Sequence, residues 1–580
     1  MKTKYIAKNI IALISILTLT IITSCKKDFL NVTDPNVFSE SNFPRNVEDL
    51  NVQLNDLYGR LRNGIYNPDV FRFLGFSRDR SADQAYLAPE FTLASQFGYD
   101  KTHGIVGDLW SQHYENIAKC VGTLQDIERF KSKNPNLSVA DLEKIDYIEG
   151  QVLFLRAWNY MILVNFYGEV MIASPADKEK MGVPIITKLA KNINDTQIPR
   201  SSVGQVWSYI IDDLKKSEIL LKTKTWDNSN ISRVSAWAVK SFLGKAYIYT
   251  QDWALASEKL KEVIDGSGKT LVSFEIYKNM FNGSNEFNSE SLFELDFSRD
   301  RPTDYNVITS VGQRLSMYLG PYYSLNKANS DIAVRHGYGN FFIHNKNLIR
   351  FGFPGLAVTP AQQSARAYLT QSKTWRDTKV TDPRLWVVAF QPYLDSLKKG
   401  NEFRATLKNT GEGVNTDDLP AWCFRKHVLT SIDENFVSNG INMQLIRLAD
   451  IYLLYAEALV NTGQNTLALE YINKVKRRAY NQANINAPSR NDYANLNALT
   501  KSPDPVLKND PLKYERWAET FAEGTWWFDV CRWRLGQSEN DFFEKVTTGP
   551  LTWSDNKYAL PIPLSELNTN KAMKQNPGYN

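Results

Sequence analysis

Cysteine is scarce in this chain. There are four in 580 residues, Cys25, Cys120, Cys423 and Cys531. So few, so far apart, do not make a disulfide framework. Cys120, Cys423 and Cys531 are predicted to be buried and to behave as small hydrophobes. Histidine is almost as rare, with five residues: His103, His113, His336, His344 and His427. None falls in an HExxH or Cys/His zinc pattern, so neither a metal nor a redox cofactor is expected. A surface calcium held by carboxylates and carbonyls stays open, because such sites need no fixed motif. No nucleophile elbow is present: Gly75-Phe76-Ser77-Arg78-Asp79 fails at its last position. Gly266-Ser267-Gly268-Lys269-Thr270 has the end of a P-loop, but Val263 stands where the first glycine belongs. Charge of one sign is also lacking. Lys plus Arg is 68 and Asp plus Glu is 63, a net charge of +5 with no basic block, so no nucleic-acid partner is expected. A carboxylate pair for glycoside hydrolysis is not excluded, since distance in space and not in sequence sets it.

The chain opens with Lys2, Lys4 and Lys8, followed by an apolar run from Ile10 to Ile22. A membrane-spanning helix needs about 20 apolar residues, and this run is shorter. Its length and order are those of a secretory signal peptide. It ends in Ile22-Thr23-Ser24-Cys25, which resembles the lipobox of bacterial lipoproteins. That resemblance implies removal of residues 1–24 and a lipid on Cys25. No second run approaches spanning length, so the mature chain reads as a folded body tethered by lipid. Its composition, 43% hydrophobic and 23% charged, is globular.

Helical signals dominate that body. Ser138-Val139-Ala140-Asp141 and Ser202-Val203-Gly204-Gln205 read as capping boxes. After the first, Ile145, Ile148, Val152 and Leu155 recur at helical spacing, and after the second so do Val206, Ile210 and Leu214. From Ser235 to Ile264 two helices are predicted to meet at Gln251-Asp252, with Leu243, Gly244, Tyr247 and Ala256 at tetratricopeptide-like positions. A second such pair spans Leu448 to Val475, with Gly463 in its turn and Ala468 and Ile472 on its second helix. The predicted fold is mainly α: a TPR-like helix-pair scaffold with a loop-rich irregular lobe. The scaffold is placed mainly at 40–268 and 436–535, the lobe at about 269–435 and a C-terminal tail at 536–580, all in one unit from 25 to 580. In the lobe Gly, Asn, Pro and Tyr become frequent, as in Gly320-Pro321-Tyr322-Tyr323 and His336-Gly337-Tyr338-Gly339-Asn340. That much irregular chain in a folded protein usually has a use.

Four stretches resemble the SusD/RagB family. They are EGQVLFLRAWNYMILVNFYGEV from Glu149, RLADIYLLYAEALVNTGQNTLALEYINKVKR from Arg447, ERWAETFAEGTWWFDVCRW from Glu515, and YALPIPLSELNTNKAMKQNPGY from Tyr558. Trp110, Tyr114 and Ile117 fit a further helix motif near the family's N-terminus. Two positions depart from the family pattern: Trp526 stands in place of an Arg, and Lys571 in place of a Pro. The resemblance implies an α/α superhelix and an outer-membrane lipoprotein, not an enzyme. It implies a protein that captures glycan, or in some members peptide, and covers a SusC-type TonB-dependent transporter as its lid. A surface hydrolase is the competing class. Arg156, Arg447, Glu515, Arg516, Glu519, Glu523, Asp529 and Arg532 could pass for a catalytic cluster. They are read instead as ion pairs that tie helices together, since buried charges must be paired to be tolerated.

A binder of neutral sugars needs flat apolar faces for the rings and amides or guanidinium groups for the hydroxyls. Trp158, Trp207, Trp237 and Trp527 lie in helical stretches and are assigned to the core. The ligand candidates sit beside Gly, Asn and Pro. One group is Tyr86, Phe97 and Tyr99. The other is Tyr318, Tyr322, Tyr323, Tyr338 and Phe341, with Arg335, Asn340 and Trp375 near them in sequence.

Overall fold

The computed structural model describes residues 42–62, 100–222, 224–298, 312–320, 343, 345–354, 365–391, 395–399, 402–406, 422–430, 439–544 and 553–579. Among the described residues six α-helices come first: α1 (Val47–Arg60), α2 (Gly104–Lys133), α3 (Val139–Tyr167), α4 (Val203–Leu221), α5 (Ala236–Thr250) and α6 (Trp253–Gly266). The starts of α3 and α4 follow the capping signals. Ser202 and Gln205 form the full reciprocal box at α4, with bonds of 2.8 and 3.2 Å. At α3 only half a box forms: Ser138 Oγ accepts the Asp141 N–H at 3.1 Å and donates to the Asp141 carboxylate at 2.7 Å. Asp is one methylene shorter than Glu, so the hydroxyl is the nearer target.

Consecutive helices stack side by side: α2 on α3, α3 on α4, α4 on α5 and α5 on α6. Helix α3 is the centre. Every residue from Val152 to Tyr167 is buried except Arg156, which pairs with Asp213 on α4 at 2.8 Å. Burying a large apolar side chain contributes about 1.5–3 kcal/mol, so this one helix anchors several neighbours. Phe154, for example, lies edge-on to Phe242 of α5 at 5.2 Å and to Phe293 at 5.5 Å.

The α5–α6 pair turns where the sequence puts it. Gln251 takes the left-handed conformation, φ 62°, and Asp252 N–H closes on Tyr247 O at 2.8 Å. Gly244 is where the two helices touch: a Cβ there would lie 2.5 Å from Leu260 Cδ2. The second pair, α7 (Leu448–Asn461) and α8 (Asn465–Ala479), repeats the device with Gly463 at φ 79°. Helix α7 docks on α6 and so continues the stack across a long gap in sequence. Two shorter helices, α9 (Pro511–Thr520) and α10 (Trp526–Arg532), follow.

The chain leaves and re-enters the scaffold at one ladder. Strand β1 (Ser291–Leu295) pairs antiparallel with β2 (Met443–Arg447), which runs directly into α7. The stretch between them holds more regular structure than the sequence suggested. It includes a helix at Ala365–Asp377 and short helices at Leu315–Leu319, Asn345–Arg350 and Leu385–Val388. The Ala365–Asp377 segment, ARAYLTQSKTWRD, is polar overall and has only Tyr368, Leu369 and Trp375 as large apolar residues, a helical pattern short enough to be missed.

The tail from Trp553 folds back onto the end of α3. Leu560 N–H donates to Phe166 O at 2.6 Å, and the Asn576 amide donates to Tyr167 O at 3.0 Å. Lys571, the departure from a family proline, uses its N–H: it donates to Gln197 Oε1 at 2.7 Å, a bond proline lacks. Trp526, the other departure, is buried with its ring 6.1 Å from that of Trp533. Cys120, Cys423 and Cys531 are buried free thiols, as expected. The P-loop-like glycines close the C-terminal end of α6 and follow no strand. Among the described residues no helix is long and apolar enough to cross a membrane.

Candidate functional site

The cluster of charged residues is a structural lattice. Arg447, fully buried where β2 meets α7, donates to Glu290 at 2.6 Å, to Glu519 at 2.7 Å and to Glu523 at 2.8 and 2.7 Å. Arg478 of α8 also reaches Glu290, at 2.9 Å, and pairs with Glu519. Lys426 closes the group on Glu523 at 2.8 Å. A second chain of pairs joins Lys245, Asp450, Arg516, Asp529, Arg532 and Glu457. Glu515 is held by Arg384 at 2.6 Å and by the Tyr493 hydroxyl at 2.8 Å. Further out, Arg350 bridges Asp504 and Glu539. These groups belong to α5, α7, α8, α9, α10 and the lobe, so the lattice locks lobe to scaffold. The cavity beside Lys245 and Glu523 is about 50 Å³. That is room for about one or two waters, not for a sugar ring.

Burial pushes the Glu519 carboxyl up, but Arg478, Arg447 and Arg384 outweigh it and hold the group at about 2. Glu523 between Arg447 and Lys426, and Glu539 between Arg350 and Lys346, are likewise held at about 2. Folded values below the ordinary 4.5 mean that the unfolded chain takes up protons first as pH falls. The stability these groups contribute is complete above about 4.5 and is lost as pH drops towards about 2. The thermal midpoint is therefore expected to fall steeply across that window. A flat midpoint there would show that the carboxylates are not paired as described.

The lobe has an aromatic floor, with Phe353 and Trp422 buried and Trp375 and Trp386 half-buried. Phe353 lies edge-on to Trp375 at 5.0 Å and to Trp422 at 4.9 Å, and Trp386 lies 6.0 Å from Trp422. On this floor Ile343 N–H donates to Trp422 O at 2.8 Å. The Leu315–Leu319 helix is pinned by Ser316 Oγ, which donates to His427 O at 2.9 Å. His427 and His113 are buried, and burial pulls His113 down to about 4. Among the described residues no three His, Cys, Asp or Glu side chains gather as a metal site.

Of the eleven candidate ligand residues, nine lie outside the described residues: Tyr86, Phe97, Tyr99, Tyr322, Tyr323, Arg335, Tyr338, Asn340 and Phe341. Cys25 lies outside them too. The backbone of Tyr318 is in the Leu315–Leu319 helix. Trp375 is the one candidate whose side chain is described. It sits on the Ala365–Asp377 helix, not on a loop, and is half-buried against Phe353. Its place is in the floor of the lobe.

Comparison with known proteins bears on the whole chain. The model described as SusD family matches residues 290–579. This chain belongs to the SusD family. A second model, described as starch-binding associating with outer membrane, matches residues 28–248. SusD-like protein P38 of Formosa agariphila is 22% identical over 590 aligned positions and covers 99% of both chains. A crystal structure of a SusD-like protein from Bacteroides fragilis superposes with a TM-score of 0.68 at 19% identity, covering 93% of this chain and 99% of that one. A laminarin-binding SusD-like protein superposes with a TM-score of 0.65 at 21% identity, covering 92% and 100%. At such identities the likeness is one of fold. The SusD-type superhelix is thus common to all three structures.

Proposed function

We propose that this protein is a lipid-anchored glycan-binding protein of the outer membrane that passes its ligand to a SusC-type TonB-dependent transporter, which it covers as a lid. The observation that carries the reading is family membership over nearly the whole mature chain. The laminarin-binding neighbour supports glycan as the ligand class. The outer-membrane description of the second family match and the lipobox at Cys25 support the location. The paired state of the acidic cluster favours a binder over a hydrolase, because each of its carboxylates is committed to a buried cation.

Ligand is held by the two aromatic groups, Tyr86, Phe97 and Tyr99, and Tyr318, Tyr322, Tyr323, Tyr338 and Phe341, with Arg335 and Asn340 serving hydroxyls. A few stacked rings and hydrogen bonds at roughly 1 kcal/mol each give a dissociation constant on the order of 0.05–1 mM. That suits a lid which must release its cargo. Laminarihexaose and maltohexaose are the first probes, by affinity electrophoresis and calorimetry. Alanine at Tyr322, Tyr323 and Tyr338 together is expected to weaken binding by about tenfold or more, a difference of about 1.4 kcal/mol, with no fall in melting temperature. Unchanged affinity would place the site elsewhere. Release of reducing sugar by the wild type would replace the reading with hydrolysis.

A further inference from the structure

A second pocket lies wholly within the helical scaffold. Its volume is about 360 Å³. It opens where three turns meet: the α5–α6 turn with Gln251 and Trp253, the last turn of α7 with Glu457 and Asn461, and the turn after α10 with Trp533 and Arg534. None of its lining comes from 269–435, the stretch that holds most of the loop candidates.

The charges in this pocket are already cancelled. Arg532 grips both oxygens of Glu457, one of which also accepts the Trp533 indole N–H at 3.0 Å. Arg534 donates to Met171 O at 2.8 Å and to Asp177 at 3.3 Å. A charged ligand would find little uncompensated charge to meet. What remains are neutral groups. The Gln251 carboxamide and the Trp253 indole N–H make no hydrogen bond to any described residue. Asn461 spends one N–H on Glu457 O, at 2.9 Å, and keeps its amide oxygen free. Amides that both donate and accept are what a ring of hydroxyls needs.

The pocket also offers an apolar plane. Arg532 lies 4.3 Å from the centre of the Trp533 ring, so that face is occupied. Trp253 is half-buried at the first position of α6 and leaves part of its indole open. Gln251 at φ 62° and Arg534 at φ 56° stand at fixed left-handed positions on the two rims. A volume of 360 Å³ is near the lower end of ordinary ligand pockets, about 300–1,000 Å³, and holds about one or two sugar rings. We propose that this pocket is a second saccharide site, with Trp253 as the stacking face and Gln251 and Asn461 as hydroxyl partners. It rests on the reading of the protein as a glycan binder.

The test uses the mature protein in detergent, with laminarihexaose and maltohexaose as probes. The Tyr322/Tyr323/Tyr338→Ala variant is expected to keep a weaker saccharide-binding event. Adding Trp253→Ala is expected to weaken that event by about tenfold or more. Gln251→Asn, which keeps a residue tolerant of the left-handed conformation, should also weaken it. It carries the test if Trp253→Ala does not fold. Residual binding that neither substitution alters, or no residual binding in the triple variant, would overturn the second site and leave the glycan reading standing. Failure of the wild type to bind either probe would overturn both. Loss of a co-purifying membrane barrel on Trp253→Ala, with saccharide binding unchanged, would assign the pocket to a protein side chain instead.

Discussion

Arg447→Met is expected to destabilise the protein by about 3–5 kcal/mol, the usual effect of removing one partner from a buried ion pair. The guanidinium touches Glu290, Glu519, Glu523 and the Glu519 carbonyl from a site 1% exposed. Methionine fills much of the space and leaves three carboxylates short of a cation. Arg478 still serves Glu290 and Glu519, and Lys426 still serves Glu523, so the chain should fold at low temperature. Arg447→Lys should recover little. One ammonium has three donors around a point, while the site uses a planar fork on three acids. Urea unfolding followed by circular dichroism measures the loss. A midpoint equal to wild type would mean that the lattice does not bind lobe to scaffold.

Cys25→Ala is expected to move the protein from the membrane fraction to the soluble fraction. Each buried CH₂ of an acyl chain contributes about 0.8 kcal/mol, and a single chain is marginal, so anchoring of this kind rests on more than one. Without the thiol no chain is attached, and the Lys26-Lys27-Asp28 tether favours water. The experiment belongs in a host without the partner transporter, so that docking does not stand in for the anchor. Retention of the variant in washed membranes would refute the lipobox reading.

Local signals carried much of the fold. Ser202 and Gln205 cap as their spacing requires, Gly463 takes the positive φ of a helix-pair turn, and Trp158, Trp207 and Trp527 are buried as helix-borne aromatics should be, while Trp237 is only half-buried against the core. The charged motif residues could be read as ion-pair formers because a buried charge must find a partner. Their partners could not be named. Glu290 and Arg384 lie in the lobe, far along the chain from Arg447 and Glu515, and nothing periodic marks them. The Ala365–Asp377 helix escaped because it is polar overall, with only three large apolar residues, and with it the role of Trp375 as floor. The Trp253 pocket needs three turns from distant parts of the chain. Trp253, opening α6 just after the Gln251-Asp252 turn, was the one local hint. The loop aromatics stand out in the sequence only by their place beside Gly, Asn and Pro, and they stand as the proposal to be tested by mutation.

As proposed, this protein loads glycan into a transporter and covers it as a lid. Isolation from its native outer membrane in mild detergent tests this proposal most directly. A large TonB-dependent barrel is expected to co-purify with the lipoprotein, and the complex to retain added oligosaccharide. A clean lipoprotein monomer, free of any such barrel, would contradict it.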